Sequence, residues 1–203
     1  MLTGFGPFPG VANNISADLV EALGAQAAQQ FKDYRVIAHV LPTEWVAGPE
    51  LLANLYNAHM PVLSLHFGVS EGAIGFRIET QAVNSRGRHC DAAGQLPERE
   101  IILAQSAKAL QVTAPARDIV ARLKRLQIPA ELSSNAGTFL CNSVLYRSLH
   151  LCGCATGPTM AGFIHLPTAF TEPVFGLDTA IAGGIEIIRV CLERLRVGPA
   201  TAR

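Results

Sequence analysis

The sequence predicts an α/β fold, a three-layer α/β/α sandwich around a mostly parallel, mixed sheet. Short apolar runs with strand character alternate with amphipathic stretches along the chain. Strands that alternate with helices favour parallel pairing, because each crossover helix returns the chain to the same end of the sheet. No linker or change in composition divides the 203 residues, so we expect a single domain over residues 1–203.

The first half of the chain contains two predicted helices and four predicted strands. Leu19 and Leu23 share one face of the first helix, and Asn14 or Ser16 supplies its N-cap;. The strands are predicted from apolar runs or alternation. The helices cover residues 16–30 and 49–57; the strands cover residues 2–3, 34–41, 61–67 and 75–83.

The second half begins with a loop at residues 84–98 and then contains three predicted helices and two strands. The helices cover residues 115–127, 140–152 and 178–195; the strands cover residues 130–133 and 159–166. The first of these helices starts at Pro115 and is apolar at Ile119 and Leu123, with basic residues on its far side;. These elements complete the alternating pattern.

The overall charge balance excludes several classes of protein. Sixteen Lys and Arg balance sixteen Asp and Glu, 49% of the residues are hydrophobic, and only 16% are charged. A disordered chain would be less hydrophobic and more highly charged. A nucleic-acid-binding protein usually carries a basic excess. We therefore expect a compact globular protein that binds no nucleic acid.

The few charges are unevenly distributed. Residues 1–17 and 51–70 contain none, and residues 132–171 contain only Arg147. Polar residues and prolines interrupt the two longer blocks, so neither resembles a membrane span. The neutral blocks are expected to be buried, to be covered by another subunit, or to form a neutral binding site.

The N-terminal residues and the cysteines predict a cytoplasmic protein. No basic segment followed by an apolar one indicates a signal peptide;. The five cysteines are odd in number and lack a disulfide framework, which favours reduced thiols;. Cys152 and Cys154 have no second pair of ligands nearby, so we expect no metal and no cofactor.

The loop after the first strand, residues 3–10, allows three interpretations. A dinucleotide-binding fingerprint would require glycine where Pro9 stands, and two bulky rings, Phe5 and Phe8, occupy the loop;. The loop is therefore either an ordinary turn between strand and helix, with the rings as anchors, or one wall of a small apolar pocket.

Three residues at the edges of predicted elements could form a nucleophilic site. Cys141 opens a predicted helix, where the positive end of the dipole favours a thiolate. His165 lies near the end of an apolar strand, and Glu79 is a charge inside a predicted strand;. A cysteine, a histidine and a glutamate could serve as a nucleophile, a base and a carboxylate that orients the base. Taken alone, a cysteine or histidine in such a place is more often structural than catalytic, and sequence spacing does not show that the three residues meet.

Four blocks of sequence resemble pyroglutamyl peptidase I, a family of cytosolic cysteine exopeptidases also called pyrrolidone carboxylate peptidases. The blocks occur in the family's order and cover nearly the whole chain. They are TGFxPFxG with NxS at residues 3–16, ExxAxN at 79–84, GTFLCN at 137–142 and FIHLP at 163–167.

This resemblance implies a phosphorylase/hydrolase-like fold, a single catalytic domain and removal of N-terminal pyroglutamate from peptides. It assigns Cys141 as nucleophile, His165 as general base and acid, and Glu79 as the residue that orients the imidazole. It further implies a thioester intermediate, no metal and a homotetramer.

The resemblance also assigns the substrate pocket. The positions that match the family's pocket are Phe5, Phe8, Val69, Phe139 and Leu140. A loop arginine near the oxyanion matches Arg88 when a gap of one residue is allowed, and Arg86 is its competitor.

Several positions depart from the family pattern. Val69 stands where bacterial members often carry glutamine, Ile15 replaces a proline, and Pro9 replaces the first glycine of a pair. Only two residues precede Thr3, so either the chain starts late or the sheet loses an edge. These departures suggest an alternative, a weak or inactive relative that binds pyroglutamyl or similar neutral peptide ends. A nucleoside or phosphate enzyme ranks last, because no phosphate cradle is visible.

Overall fold

A computed structural model describes residues 1–157 and 159–197, and its centre is a six-stranded sheet. The described residues form five helices, α1 to α5, and eight strands, β1 to β8, and the strands β3 to β6 follow one another without a helix between them. In chain order the elements are β1 (Leu2–Phe5), α1 (Ile15–Gln30), β2 (Ala38–Leu41), α2 (Ala47–His59), β3 (Leu63–Val69), β4 (Phe76–Glu79), β5 (Gln81–Val83), β6 (Ala109–Gln111), α3 (Ala116–Arg125), β7 (Ala130–Ser133), α4 (Leu140–Cys154), β8 (Met160–Leu166) and α5 (Leu177–Val197).

The central sheet is mixed, as the sequence predicts. Its strand order is β2-β1-β3-β8-β4-β7, and every neighbouring pair is parallel except β4 and β8. β5 and β6 form a separate antiparallel pair. The parallel strands β1, β3 and β8 therefore end at the same edge of the sheet, where α/β proteins commonly build their sites.

Helices cover both faces of the sheet, which confirms the predicted three-layer sandwich. On one face α1, α3 and α5 pack together over an apolar cluster that includes Leu23, Ile119 and Ile188. On the other face α2 and α4 pack over a second cluster that includes Leu52 and Leu145. Most of the hydrophobic residues counted in the sequence serve these two layers.

The expectation that a short first strand removes an edge of the sheet is wrong. β1 extends through Phe5 and lies inside the sheet, paired with β2 on one side and with β3 on the other. Its four residues are all buried. Partners on both sides hold these few residues in place, so the strand does not need to be long.

Two further predictions for the strands were incomplete. The strand expected at residues 75–83 divides at Thr80, because β4 joins the central sheet while β5 turns away to pair with β6. The Thr80 backbone bridges the two sheets: its N–H donates to Ser133, and its carbonyl accepts from Val112. β6 was not predicted, and the strand expected at residues 34–41 forms only at Ala38–Leu41.

Within the described residues, no helix is both long enough and apolar enough to cross a membrane.

The contact between β1 and α1 generates a stability prediction. A Cβ at Gly4 would lie 2.3 Å from the backbone carbonyl oxygen of Ser16, which cannot move without shifting the helix. We expect Gly4→Ala to lower the free energy of unfolding by about 1–3 kcal/mol, as overpacking of a core does. Urea denaturation measures the change.

Gly153 provides the matched control for this substitution. It lies in α4, and a Cβ there would meet nothing within 4 Å. We expect Gly153→Ala to leave stability unchanged or to raise it by up to about 1 kcal/mol, since alanine favours a helix. An equal decrease in the free energy of unfolding in Gly4→Ala and Gly153→Ala would contradict a steric role for Gly4.

Candidate active site

A cavity of about 380 Å³ opens at the sheet edge where β1, β3 and β8 end. Its volume lies in the range of small-molecule sites. Its lining includes two of the three predicted catalytic residues and all five predicted pocket residues: Cys141, His165, Phe5, Phe8, Val69, Phe139 and Leu140. The structure therefore brings together residues that are up to 160 positions apart in the chain.

Cys141 is the second residue of α4 and is half-buried against the cavity. The preceding cap residue, Phe139, offers no side-chain hydrogen bond to the helix end in the described structure. The Ser143 N–H bonds back to Phe139, whereas the three N–H groups before it have no partner within the helix;. The start of α4 thus presents backbone donors beside the thiol.

Glu79 and His165 form a buried pair across β4 and β8. The glutamate Oε1 lies 2.8 Å from the imidazole Nδ1. Glu79 is fully buried and His165 is 5% exposed. The pairing is a consequence of topology, because β4 runs antiparallel to β8 with Arg77 opposite His165. Glu79, two residues after Arg77, therefore lies on the same face of the sheet as His165 and diagonal to it. A charge buried this deeply is tolerated when it is paired.

His165 and Cys141 face the same cavity, and the imidazole is close enough to the thiol for the two groups to interact. Burial lowers the pKa of His165. The interactions of the imidazole with the Cys141 sulfur and with the Glu79 carboxylate outweigh this effect and raise the pKa from 6.5 to about 9. The ring is therefore protonated at neutral pH. Because Nδ1 faces Glu79, Nε2 is the ring nitrogen left for the thiol and the substrate.

Gly68 makes the room that the thiol needs. It pairs with His165 in the parallel β3–β8 ladder. A Cβ at this position would lie 3.1 Å from Cys141 Sγ and 2.9 Å from the Phe163 ring. A larger residue on β3 would push the sulfur away from its place.

Aromatic rings form one wall of the cavity. Phe139 packs against Phe8 with ring centroids 5.7 Å apart and against the edge of Trp45 at 5.1 Å. The Trp45 indole donates to the His89 carbonyl, and its backbone N–H donates to the buried Asp91 carboxylate. The loop after β5 therefore braces the wall from behind.

The sequence-based assignment missed this bracing and several side chains of the lining, among them Thr43, Asn135, Ser70 and Arg77. Trp45 is the chain's one tryptophan, and that rarity was the signal available. Ser70 and Arg77 line the cavity although no motif contains them.

The dinucleotide interpretation of the first loop has no support in the structure. Phe5 and Phe8 are in the lining, as the pocket interpretation expected. Asn14 caps α1 as predicted, and it also donates to the Gly6 carbonyl, which Thr43 shares. The loop is held in shape by these side chains.

Neither predicted oxyanion arginine lies at the cavity. Arg88 is exposed, and Arg86 lies over the Trp45 ring at 5.9 Å with its guanidinium half-buried. Neither is among the residues that line the cavity. The assignment of Arg88 or Arg86 to an oxyanion therefore stays a prediction, and the first turn of α4 is the nearer source of donors.

The remaining cysteines lie away from the site. Cys152 and Cys191 are buried, whereas Cys90 and Cys154 are exposed. In residues 1–157 and 159–197, no group of three or more His, Cys, Asp or Glu side chains is arranged to hold a metal ion.

Comparison with known proteins gives one consistent result. The sequence model described as pyroglutamyl peptidase matches residues 1–183. The chain is 32% identical over 200 residues to a pyrrolidone-carboxylate peptidase of Vibrio vulnificus, a match that covers 95% of this chain and 92% of that one. It is 36% identical over 168 residues to the protein of that name in Chromobacterium violaceum, covering 82% of this chain and 76% of the relative.

Solved structures agree with the sequence relatives. Pyrrolidone carboxyl peptidase of the hyperthermophile Pyrococcus furiosus superposes with a TM-score of 0.87 at 30% identity, covering 96% of this chain and 98% of that one. The chain therefore belongs to the pyroglutamyl peptidase family.

Proposed function

We propose that this protein removes N-terminal pyroglutamate from peptides, with Cys141 as nucleophile, His165 as general acid and base, and Glu79 as the residue that orients the imidazole. The observation that carries the proposal is that Cys141 and His165 face one cavity while the Glu79 carboxylate lies 2.8 Å from the imidazole. Membership of the family supports the same reaction. The whole described chain serves as one catalytic domain.

The first half of the reaction forms a thioester. The sulfur of Cys141 attacks the carbonyl carbon that joins pyroglutamate to the next residue. The carbon–nitrogen bond then breaks, and His165 Nε2 gives its proton to the leaving amine. The raised pKa of His165, about 9, ensures that this proton is present at neutral pH.

The second half releases the pyroglutamate. His165, now neutral, takes a proton from a water molecule, whose oxygen attacks the thioester carbonyl. The carbon–sulfur bond breaks, and free pyroglutamate leaves. The thiolate and the protonated imidazole are restored together, so the cycle needs no external acid or base.

The start of α4 supplies the oxyanion donors in this mechanism. The carbonyl oxygen becomes negative when Cys141 attacks. The backbone N–H groups of the first helical turn, which have no partner within the helix, lie beside the sulfur;. Donors fixed by a helix need no rearrangement during the reaction.

The lining of the cavity suits a pyroglutamyl ring. An ordinary peptide N-terminus carries an ammonium group that needs acidic partners, whereas pyroglutamate ends in a neutral lactam. The wall formed by Phe5, Phe8 and Phe139 is apolar, and a fixed charge there would add only a desolvation penalty;. The alternative of a binding protein without catalysis is not favoured, because the complete set of nucleophile, imidazole and carboxylate is present at the cavity.

A homotetramer and a cytoplasmic location complete the proposal. Large apolar side chains are exposed at Val46, Met60, Ile74 and Val174 among others, and subunit contacts would cover such surface;.

The nucleophile gives the first test of this proposal. We expect the protein to hydrolyse a fluorogenic pyroglutamyl amide and to leave the alanyl and prolyl amides intact. Cys141→Ser should lower kcat/KM by about 10⁴-fold or more, because the covalent route is lost.

Cys90→Ala is the matched control, since Cys90 is an exposed cysteine that does not line the cavity. It should retain activity and remain sensitive to iodoacetamide. Full activity in Cys141→Ser would exclude the mechanism, and equal hydrolysis of the three amides would exclude the function.

The imidazole gives a test by pH. Because the general acid must be protonated, kcat/KM should fall as pH rises through about 9;. Glu79→Gln removes one of the groups that raise the pKa of His165, so its alkaline limb should move to lower pH. Initial rates from pH 6 to 10 measure the alkaline limb of the wild type and that of the variant. An alkaline limb at the same pH in both proteins would contradict the role given to Glu79.

A further inference from the structure

We infer that Arg77 selects substrates with a carboxylate on the residue that follows pyroglutamate. The inference rests on the proposed function, because it concerns the leaving-group side of the same cavity. Arg77 is in β4, lines the cavity, and lies in no motif that suggested the activity.

The sheet register fixes the position of Arg77 relative to the reacting groups. Gly68 of β3 pairs with His165 of β8, and His165 pairs with Arg77 of β4. On β1, Thr3 pairs with His66, so Phe5 two residues later is level with Gly68. Phe5, Gly68, His165 and Arg77 therefore follow one another across four adjacent strands.

This order separates the two ends of the cavity. Neighbouring strands are about 4.8 Å apart, so the backbones at Phe5 and Arg77 are roughly 14 Å apart. The sulfur of Cys141 lies near Gly68, in the interior of this row. The apolar rings are on one side of the sulfur, while His165 and then Arg77 are on the other.

The chemistry decides which end holds which part of the substrate. His165 must deliver its proton to the leaving amine, so the residue after pyroglutamate lies on the side of His165. The pyroglutamyl ring then lies toward the aromatic wall. The leaving residue consequently points toward Arg77.

The guanidinium of Arg77 retains capacity for an anion. Its Nε donates to Glu131 at 2.7 Å, a pair in which the glutamate side chain is 56% exposed. Nη1 reaches Ser70 Oγ and Nη2 reaches the Gly72 carbonyl, each at 3.4 Å, beyond the usual hydrogen-bond distance;. Two nitrogens can therefore turn to a substrate carboxylate, for which a guanidinium has matching geometry.

A carboxylate on the leaving residue has two possible sources, an acidic side chain or the free C-terminus of a dipeptide. Two pairs of substrates separate these sources. Pyroglutamyl-aspartyl amide is compared with pyroglutamyl-asparaginyl amide, and pyroglutamyl-alanine is compared with pyroglutamyl-alaninamide. Each pair differs in charge with almost unchanged shape.

We expect the wild-type protein to prefer the charged member of at least one pair by about tenfold in kcat/KM, an effect reduced by the partial exposure of the site. Arg77→Gln should bring that ratio close to one. Arg117→Gln is the matched control, because Arg117 is an exposed arginine of α3 that does not line the cavity, and it should keep the wild-type ratio.

Glu131→Gln is a second test variant, which keeps the inference testable if Arg77→Gln does not fold. It removes the carboxylate that competes for Arg77, so the preference for the charged substrate should increase. Equal ratios in the wild type and in both variants would overturn the inference. A wild-type protein that cleaves no pyroglutamyl amide would instead overturn the proposed function.

Discussion

The ion pair between Glu79 and His165 is the interaction on which the site depends. A carboxylate with no exposed surface is very unfavourable unless a partner of opposite charge lies within hydrogen-bond distance;. The partner is available because β4, with β7 parallel beside it, runs antiparallel to β8 and so against the direction of β1, β2, β3 and β8. The one irregular pairing of the sheet thus brings an orienting carboxylate to the imidazole, which an all-parallel order would place differently.

The uneven distribution of charge in the sequence is consistent with the composition of the cavity. In the proposed mechanism the Glu79–His165 pair supplies the charge that the chemistry needs, and the end of the cavity proposed for the pyroglutamyl ring is apolar. Phe5 and Phe8 belong to the uncharged block 1–17, and Phe139, Cys141 and His165 belong to block 132–171, where Arg147 is the one Lys, Arg, Asp or Glu residue. The low charge content first excluded a disordered chain and a nucleic-acid-binding protein. In the folded chain, the same neutral segments form an apolar cavity wall and contribute to the two apolar layers of the core.

Part of this structure could be predicted from the sequence, and the reasons are local. The helix at 16–30 has a cap and an apolar face of its own, and Cys141 is marked by its place at a helix start. Glu79 is marked as a charge within a strand. The break at Thr80 and the strand at Ala109–Gln111 could not be predicted, because both depend on partners that are distant in the chain. The interior place of β1 likewise depends on two neighbours rather than on its own length.

Arg77 illustrates the limit of motifs more sharply. Its type and position carry no signal in the sequence, since an arginine on a strand next to exposed loops is ordinarily a solvated residue. Only the register, which sets it opposite His165, gives it a place on the leaving-group side. In the proposed mechanism, Cys141, His165 and Glu79 act as a unit, so their positions admit little change without loss of activity. A residue one strand further out contacts only the part of the substrate that leaves, and such a position can change the choice of peptide while the reaction stays the same.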